Sequence, residues 1–456
     1  MMAVWSEVDT AVLSRTRRLD AEYYQPWYLE IVARIRERAN GTLGDFALPR
    51  KRKFKPSPGS AFNYIDISSV STTNGEWHSQ CLEDSEAPTR AQFKVDNDTI
   101  LLSTVRPIRS ATALLNDIQP RTVCSSGFLP LRAIGMSPEF LFAFLKSEVI
   151  ISLLDRETTA TMYPAVAEED VLSLPFVRPS VSTEAAVTQM VRECRSSLEE
   201  SKRLYAAAEG LLSSALGLDG LDLTARLYYE RPYADLEAAA RFDAEYFSPR
   251  TQNLLAALSR DGLTLGDVAK LAKRRFKPKP GVAFQYIEIA DVTGNGTVEA
   301  SPVAGGEAPS RATWIVKPGD VITSTVRPIR RLSAIIADDQ GGHVCSSGFA
   351  VLTPLDIAPE LLLVFLRIPL ICELLDLHTT ASMYPAISTA DLMKIPIALP
   401  GDETPTAIVS KVRESFVARR EARRLLDEAK RMVEEVILGE SCCEADKDNG
   451  DAKAPE

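Results

Sequence analysis

The residues of this sequence best equipped for chemistry are cations set around aromatic rings, and the chemistry they suit is phosphate binding. Arg50, Lys51, Arg52, Lys53 and Lys55 surround Phe54. Lys273, Arg274, Arg275 and Lys277, with Lys270 and Lys279 outside them, surround Phe276 in the same manner. Loops of this kind neutralise phosphates and release counterions, so their binding is salt-dependent. A charge run is more usually a solvated face, but two equivalent runs in an acidic chain shift the balance toward nucleic acid. A second pair of motifs is narrower. Arg106-Pro-Ile-Arg109 and Arg327-Pro-Ile-Arg330 each follow a predicted strand, where proline ends the ladder and the chain turns. Arginine on a rigid strand end can fork onto a guanine edge in the major groove, at ~1–3 kcal/mol of discrimination per good pair. Equally compatible is a buried arginine tying its loop to a carboxylate or carbonyl. Tyr163 and Tyr384 precede prolines in the threonine-rich stretches 158–164 and 379–385, where ring and hydroxyls suit a DNA backbone or a base face. An ordinary crossover turn explains those stretches as well.

Covalent chemistry is poorly supplied. Cys124 and Cys345 sit in identical Val-Cys-Ser-Ser-Gly-Phe stretches, but the histidine near one of them, His343, is matched by Thr122 near the other. A thiol nucleophile without a base reads as strand–turn packing. Asp20 with Glu22, and Asp243 with Glu245, are two residues apart and do not face each other on a helix, so capping or local packing is expected there. There is no GxGxxG, GxxxxGK[ST] or HExxH motif and no Asn-Pro-Pro-Tyr-type loop. The residues therefore predict no enzyme, and no cofactor, nucleotide or metal bound by the chain itself.

Composition agrees with a soluble protein. Hydrophobic residues make up 45% of 456, charged residues 25%, and the net charge of −10 argues against a uniformly basic nucleic-acid binder. The start lacks a basic flank with a long apolar run, and the most apolar stretch, 361–366, is cut by Arg367. Seven cysteines without a CxxC pair read as reduced thiols, which points to the cytoplasm.

The elements that must position these residues are written twice. Arg18-Leu-Asp-Ala-Glu-Tyr-Tyr24 returns as Arg241-Phe-Asp-Ala-Glu-Tyr-Phe247, and Lys51-Arg-Lys-Phe-Lys-Pro56 as Lys273-Arg-Arg-Phe-Lys-Pro278. Ser103-Thr-Val-Arg-Pro-Ile-Arg109 returns unchanged at 324–330, and Val123-Cys-Ser-Ser-Gly-Phe128 unchanged at 344–349. The offset drifts only from 223 (18 to 241) to 221 (103 to 324), which marks a duplicated domain and not a short-period solenoid. Each copy opens with a short helical segment and continues through the basic loop into alternating stretches. These stretches, 63–70 and 95–105 in one copy and 285–292 and 315–326 in the other, predict strands, with turns at Asn74-Gly75 and Asn295-Gly296. Apolar helices start at Pro138 and Pro359.

Each copy then ends in a long helix. Apolar and small residues at Val187, Met190, Cys194, Leu198, Ser201, Leu204, Ala208, Leu211 and Ala215 follow gaps of three and four, as do Ala422, Leu425, Ala429, Met432 and Val436. Two such seams predict helices that pair with each other. The fold class is therefore α+β: two duplicated mixed domains, 1–180 and 218–401, followed by long helices at 181–217 and 402–438 that pair as an antiparallel coiled coil. The acidic segment 439–456 is expected to be disordered.

Taken together, the Arg-Leu/Phe-Asp-Ala-Glu-Tyr segment, the Tyr-Ile-Asp/Glu-Ile strand, the Ser-Thr-Val-Arg-Pro stretch and the Leu-Pro or Ile-Pro close before each long helix resemble the specificity (S) subunit of a type I restriction–modification system. The resemblance runs to about Leu438 and rests most on the domain–helix–domain–helix order. Many relatives carry Glu-Gln after the closing proline; here Glu184 precedes Ala185 and Glu403 precedes Thr404, so the helix start differs. The resemblance implies two target-recognition domains on double-stranded DNA and a helical platform for two methyltransferase (M) subunits, which bring S-adenosylmethionine and methylate adenines. It also implies two restriction (R) subunits that use ATP and Mg. The family has no compact DNA-contact signature, so the resemblance carries over regions only; within them the residues' own chemistry selects Lys51, Arg52, Lys53, Lys55, Arg106, Arg109 and Tyr163 as DNA contacts, with Lys273, Arg274, Arg275, Lys277, Arg327, Arg330 and Tyr384 in the second copy. Because the copies share even these segments, the two half-sites are expected to be related and the bipartite target close to palindromic. Differences between half-sites should map to 68–86 against 290–307 and to 111–122 against 332–343. Two other readings stay open: a specificity module of another phage-defence complex, and a duplicated scaffold that binds proteins only.

Overall fold

A computed structural model describes residues 5–159, 162–380, 383–401 and 403–439. Both copies build the same two sheets, except that the edge strand Arg52–Lys53 of the first copy is reduced in the second to a single bridge between Arg275 and Trp314. In the first copy, Ala47–Pro49, Phe128–Ala133, Ile100–Ser103 and Thr112–Leu114 lie side by side in that order, all antiparallel. The other sheet runs Arg52–Lys53, Ala91–Lys94, Thr122–Ser125, Ala61–Ile65, Gln80–Glu83, with one parallel pair between Ala61–Ile65 and Thr122–Ser125. In the second copy the first sheet returns as Ala269–Leu271, Phe349–Pro354, Val321–Ser324 and Ser333–Ile335, and the other as Ser301–Ala304, Ala283–Ile287, Val344–Ser346 and Ala312–Ile315. Even the irregularity is repeated: the register shifts between Ala91 and Phe93 and again between Ala312 and Trp314. The fold is α+β, duplicated.

Two expected strands are shorter than their alternation suggests. The stretch 63–70 stops at Ile65 because Asp66 accepts the Ser69 N–H at 2.8 Å and caps a 3₁₀ turn over Ile67–Ser69. The stretch 95–105 divides its length between a turn and the strand Ile100–Ser103, with Asp98 in the left-handed region at φ 63°. In the second copy Gly319 takes that position at φ 78°, where a missing Cβ removes the penalty that Asp98 tolerates. The turns at Gly75 and Gly296 are present, and Gly75 is needed twice over. It has φ 71°, and a Cβ there would lie 2.7 Å from both the Phe142 ring and the Thr112 carbonyl.

The apolar helices begin at their prolines, Pro138–Lys146 and Pro359–Arg367, and Ser137 caps the first by accepting the Phe140 N–H at 3.1 Å. Each is buried nearly all round, so its last residue is a buried cation. Lys146 donates to the carbonyls of Thr72 (2.9 Å) and Ser110 (3.0 Å). Arg367 donates to those of Arg331 (2.7 Å), Ser333 (3.0 Å) and Gly294.

The long helices span Val181–Ala215 and Thr404–Leu438, 35 residues each. The first starts three residues before Glu184, whose carboxylate is thereby free to accept the Ser137 N–H at 2.7 Å. The chain divides into two units, 1–197 with 421–456, and 198–420, so each unit holds one mixed domain and half of each long helix, paired in opposite directions. In the first unit Val187, Val191 and Cys194 are buried, as are Ala422, Leu425, Leu426, Ala429, Val433 and Ile437. In the second, Ser201 and Ser415 touch at 3.0 Å, and Tyr205, Ala208, Leu212, Ile408 and Val412 join the domain's own core. Met190, Leu211, Met432 and Val436 are only half-buried, because the seam also turns toward each domain and selects Val191, Leu212 and Val433 instead. Arg192 reaches back to buried Glu139 at 2.7 Å in one unit, and Arg413 to buried Glu360 at 2.6 Å in the other. The acidic tail beyond Gly439 lies outside the described residues.

Candidate nucleic-acid interface

The two motif pairs that the sequence presents separately meet in space. In the first domain the strand Ile100–Ser103 runs out through Thr104, whose N–H donates to the Gly127 carbonyl at 2.9 Å. Arg106 then adopts a left-handed conformation (φ 49°, ψ 61°) and opens the turn Pro107–Arg109, which Ser110 closes at φ 54°. A non-glycine residue in this region before proline is strained by about 1–3 kcal/mol, so its surroundings must hold it. They do: the Arg106 N–H donates to the Pro164 carbonyl at 2.7 Å, and Pro107 is buried. The same contact carries the Met162-Tyr163 stretch alongside the turn. The Arg106 guanidinium lies 5.6 Å over the Tyr163 ring and donates to the Met162 carbonyl at 3.4 Å.

The second domain repeats this nearly atom for atom. Arg327 has φ 49° and ψ 63°, its N–H donates to the Pro385 carbonyl at 2.8 Å, and its guanidinium lies 5.8 Å over Tyr384. Arg109 and Arg330 are exposed at the ends of the two turns. So are Tyr163 (69%) and Tyr384 (69%), which the sequence singles out, and beside them large apolar side chains that it does not: Ile108 (55%) and Met162 (77%), with Ile329 (48%) and Met383 (76%) in the second domain. Their signal was present in the repeated Pro-Ile-Arg and Met-Tyr-Pro strings, but nothing local ties two strings that lie 56 residues apart.

The basic loops are edge structures. Arg52–Lys53 pairs with Ala91–Lys94 at a sheet edge, and Phe54 is buried against Phe62 with ring centroids 4.7 Å apart. Lys51 pairs with Glu168 and lies 6.0 Å from the Phe93 ring, Arg52 pairs with Asp96 at 2.5 Å, and Lys53 and Lys55 are exposed. In the second domain Arg274 is half-buried. It donates to the Ile315 carbonyl at 3.0 Å and pairs with buried Asp320, while Arg275 lies 5.8 Å from the Trp314 ring. Lys273 and Lys277 are exposed, and Phe276 meets Phe284 at 4.6 Å. Of the basic-loop residues singled out, Lys53, Lys55, Lys273 and Lys277 thus offer their charge outward, and Arg274 is engaged within the fold.

The remaining candidates fall where packing would put them. Cys124 and Cys345 are fully buried, and burial pushes each thiol up to about 12, away from nucleophilic use. Arg18 clasps Asp20 at 2.7 and 2.9 Å and Arg241 clasps Asp243 at 2.7 and 2.8 Å, holding both carboxyls below the usual range. Those arginines continue onto the Thr158 and Leu377 carbonyls, so the opening segment of each copy is tied to the end of a helix. Among the described residues no group of three or more His, Cys, Asp or Glu is placed to hold a metal ion, and no helix is long and apolar enough to cross a membrane.

Fold and site together define a duplicated α+β protein that presents one cationic, aromatic tip in each unit. The chain is similar to the HsdS subunit from Thermoanaerobacter tengcongensis, at 21% identity over 87% of this chain and 96% of that one with a TM-score of 0.33. It is similar to a structure described as the basis of complex assembly and conformational transition of the type I R-M system, at 23% identity over 87% and 97%, TM-score 0.33. It is also similar to the type I restriction-modification S subunit from M. genitalium, at 13% identity over 87% and 94%, TM-score 0.35. No protein-family model and no curated protein matches the chain.

Proposed function

We propose that this chain is the DNA-specificity subunit of a type I restriction–modification system, reading a bipartite, near-palindromic duplex target and performing no bond chemistry itself. The observation that carries the reading is the tip: two segments distant in sequence converge in each domain to present Arg109 or Arg330 beside a tyrosine held under a guanidinium. Arginine with a preorganised aromatic partner suits base edges and base faces, while Lys53, Lys55, Lys273 and Lys277 suit phosphates. The paired helices would fix the distance between half-sites and dock two methyltransferase subunits carrying S-adenosylmethionine. Two restriction subunits using ATP and Mg would complete the cleaving complex, in the cytoplasm.

The test is selection from a random duplex pool by the full chain with its methyltransferase partner, over a salt series. Two related half-sites at fixed spacing are expected, and deleting one heptad from each long helix should alter the spacer while leaving the half-sites unchanged. Flat affinity without sequence preference would overturn DNA recognition in favour of a protein scaffold. Two unrelated half-sites would remove the near-palindrome.

A further inference from the structure

We infer that each tip carries an apolar wedge that enters a base step of the target and unstacks it, an inference that rests on the DNA-recognition reading above. Three large apolar side chains stand exposed at each tip, Ile108, Met162 and Tyr163 in one domain and Ile329, Met383 and Tyr384 in the other. Exposed apolar side chains are ordinary when scattered singly; the same three clustered at the same place in both copies are not. Phosphate contact needs none of them, and hydrogen-bond readout of a base edge needs at most the arginines.

Three features suit insertion. The tip is rigid, because Arg106 and Arg327 are held left-handed between a buried proline and the Pro164 or Pro385 carbonyl. It carries positive charge, with Arg106 or Arg327 over the tyrosine ring and Arg109 or Arg330 exposed at the end of the turn, which complements the phosphates beside an opened step. Its apolar members are of the kinds that nucleic-acid-bending proteins insert between bases, Met and Ile, beside an aromatic ring able to stack on the exposed base face. The turn is also braced from below: the carbonyl of Ser110, which closes it, accepts from buried Lys146, and that of Arg331 from buried Arg367. A protein partner's pocket would accept the same apolar groups, but the two arginines at each tip favour a polyanion.

The experiment uses the full chain with its methyltransferase partner and the duplex it selects, with 2-aminopurine replacing each adenine in turn. A several-fold fluorescence rise is expected at one step in each half-site. M162S/Y163S should abolish the rise in one half-site only, with about a tenfold loss of affinity, while M162L keeps it. The intact second tip serves as the folding control. Specific binding with no rise, and with M162S/Y163S binding as tightly, overturns the wedge and leaves DNA recognition standing. A rise that persists in M162S/Y163S also overturns it, since the partner then opens the base. Failure of M162S/Y163S to assemble with the partner, its DNA binding unaltered, assigns the tip to a protein contact and overturns the wedge. If no duplex is selected, the DNA reading falls and the wedge with it.

Discussion

Arg106 and Arg327 share a backbone conformation, a carbonyl partner and an aromatic partner, whereas Arg52 and Arg274, equally matched in sequence, have little in common. Arg52 pairs with Asp96 at the surface. Arg274 reaches inward to Asp320, which is 2% exposed and has Thr99 as its counterpart in the first copy. The contrast teaches that a repeated string retains its role where backbone strain and long-range hydrogen bonds fix it. Where only charge is repeated, a single acid elsewhere redirects the side chain.

The largest effect should come from the braces beneath the tips. Arg367→Ala removes a buried guanidinium that holds three carbonyls, that of Ser333 buried, and should cost about 3 kcal/mol, more than Lys146→Ala, which frees two of those named here. Urea unfolding of each variant checks the order; a larger loss for Lys146→Ala would sink the idea that the cost follows the number of carbonyls each cation holds.

If the tips are functionally alike, Arg109→Ala and Arg330→Ala should each weaken specific DNA binding by ~1–3 kcal/mol and each relax one half-site. Equal losses are expected in a competition assay, and a silent partner in the pair would break the symmetry argued from geometry.

The basic loops should separate. Replacing Lys53 and Lys55 by Ala should lower the salt dependence of binding by about two counterions, uniformly across sequences. Arg274→Ala should leave that slope alone and lower the melting temperature, because its partner Asp320 is left buried without a cation.

A smaller difference should appear in acid. Burial raises the carboxyl of Asp291 to about 6, and Ser69 stands in its place in the first copy. A raised carboxyl means the native state holds its proton longer than the unfolded chain does. Its contribution is therefore complete below about pH 4 and is lost as pH rises through about 6. Asp291→Asn still offers an oxygen to the Glu288 N–H, accepted at 2.7 Å, and should flatten this part of the stability–pH curve. An unchanged slope between pH 4 and 6 would show that the carboxyl titrates as an ordinary surface acid.

Much of this architecture is legible from local pattern. The duplication, the proline helix starts and the asparagine–glycine turns need only the string, because each is dictated by residues within one element. The pairing of the long helices follows from spacing, though their second face, toward the domains, shifts which residues are buried. Strand ends differ from the alternation where a polar residue within it caps a turn, as Asp66 does. The tip was legible only as parts. Arg106 and Tyr163 are brought together by backbone hydrogen bonds, from the Arg106 N–H to Pro164 and from the Val166 N–H to Thr104, and backbone bonds across such a separation leave no side-chain pattern to read.

The division of the chain also bears on the order in which it can be finished. Residues 198–420 form one continuous unit, while the first unit needs 421–438 to cover Val187, Val191 and Cys194. Domains ordinarily fold from the N-terminus as they leave the ribosome. Here that order is reversed: the unit that contains 1–197 is completed only after 198–420, and one face of its long helix stays uncovered until 421–438 has emerged.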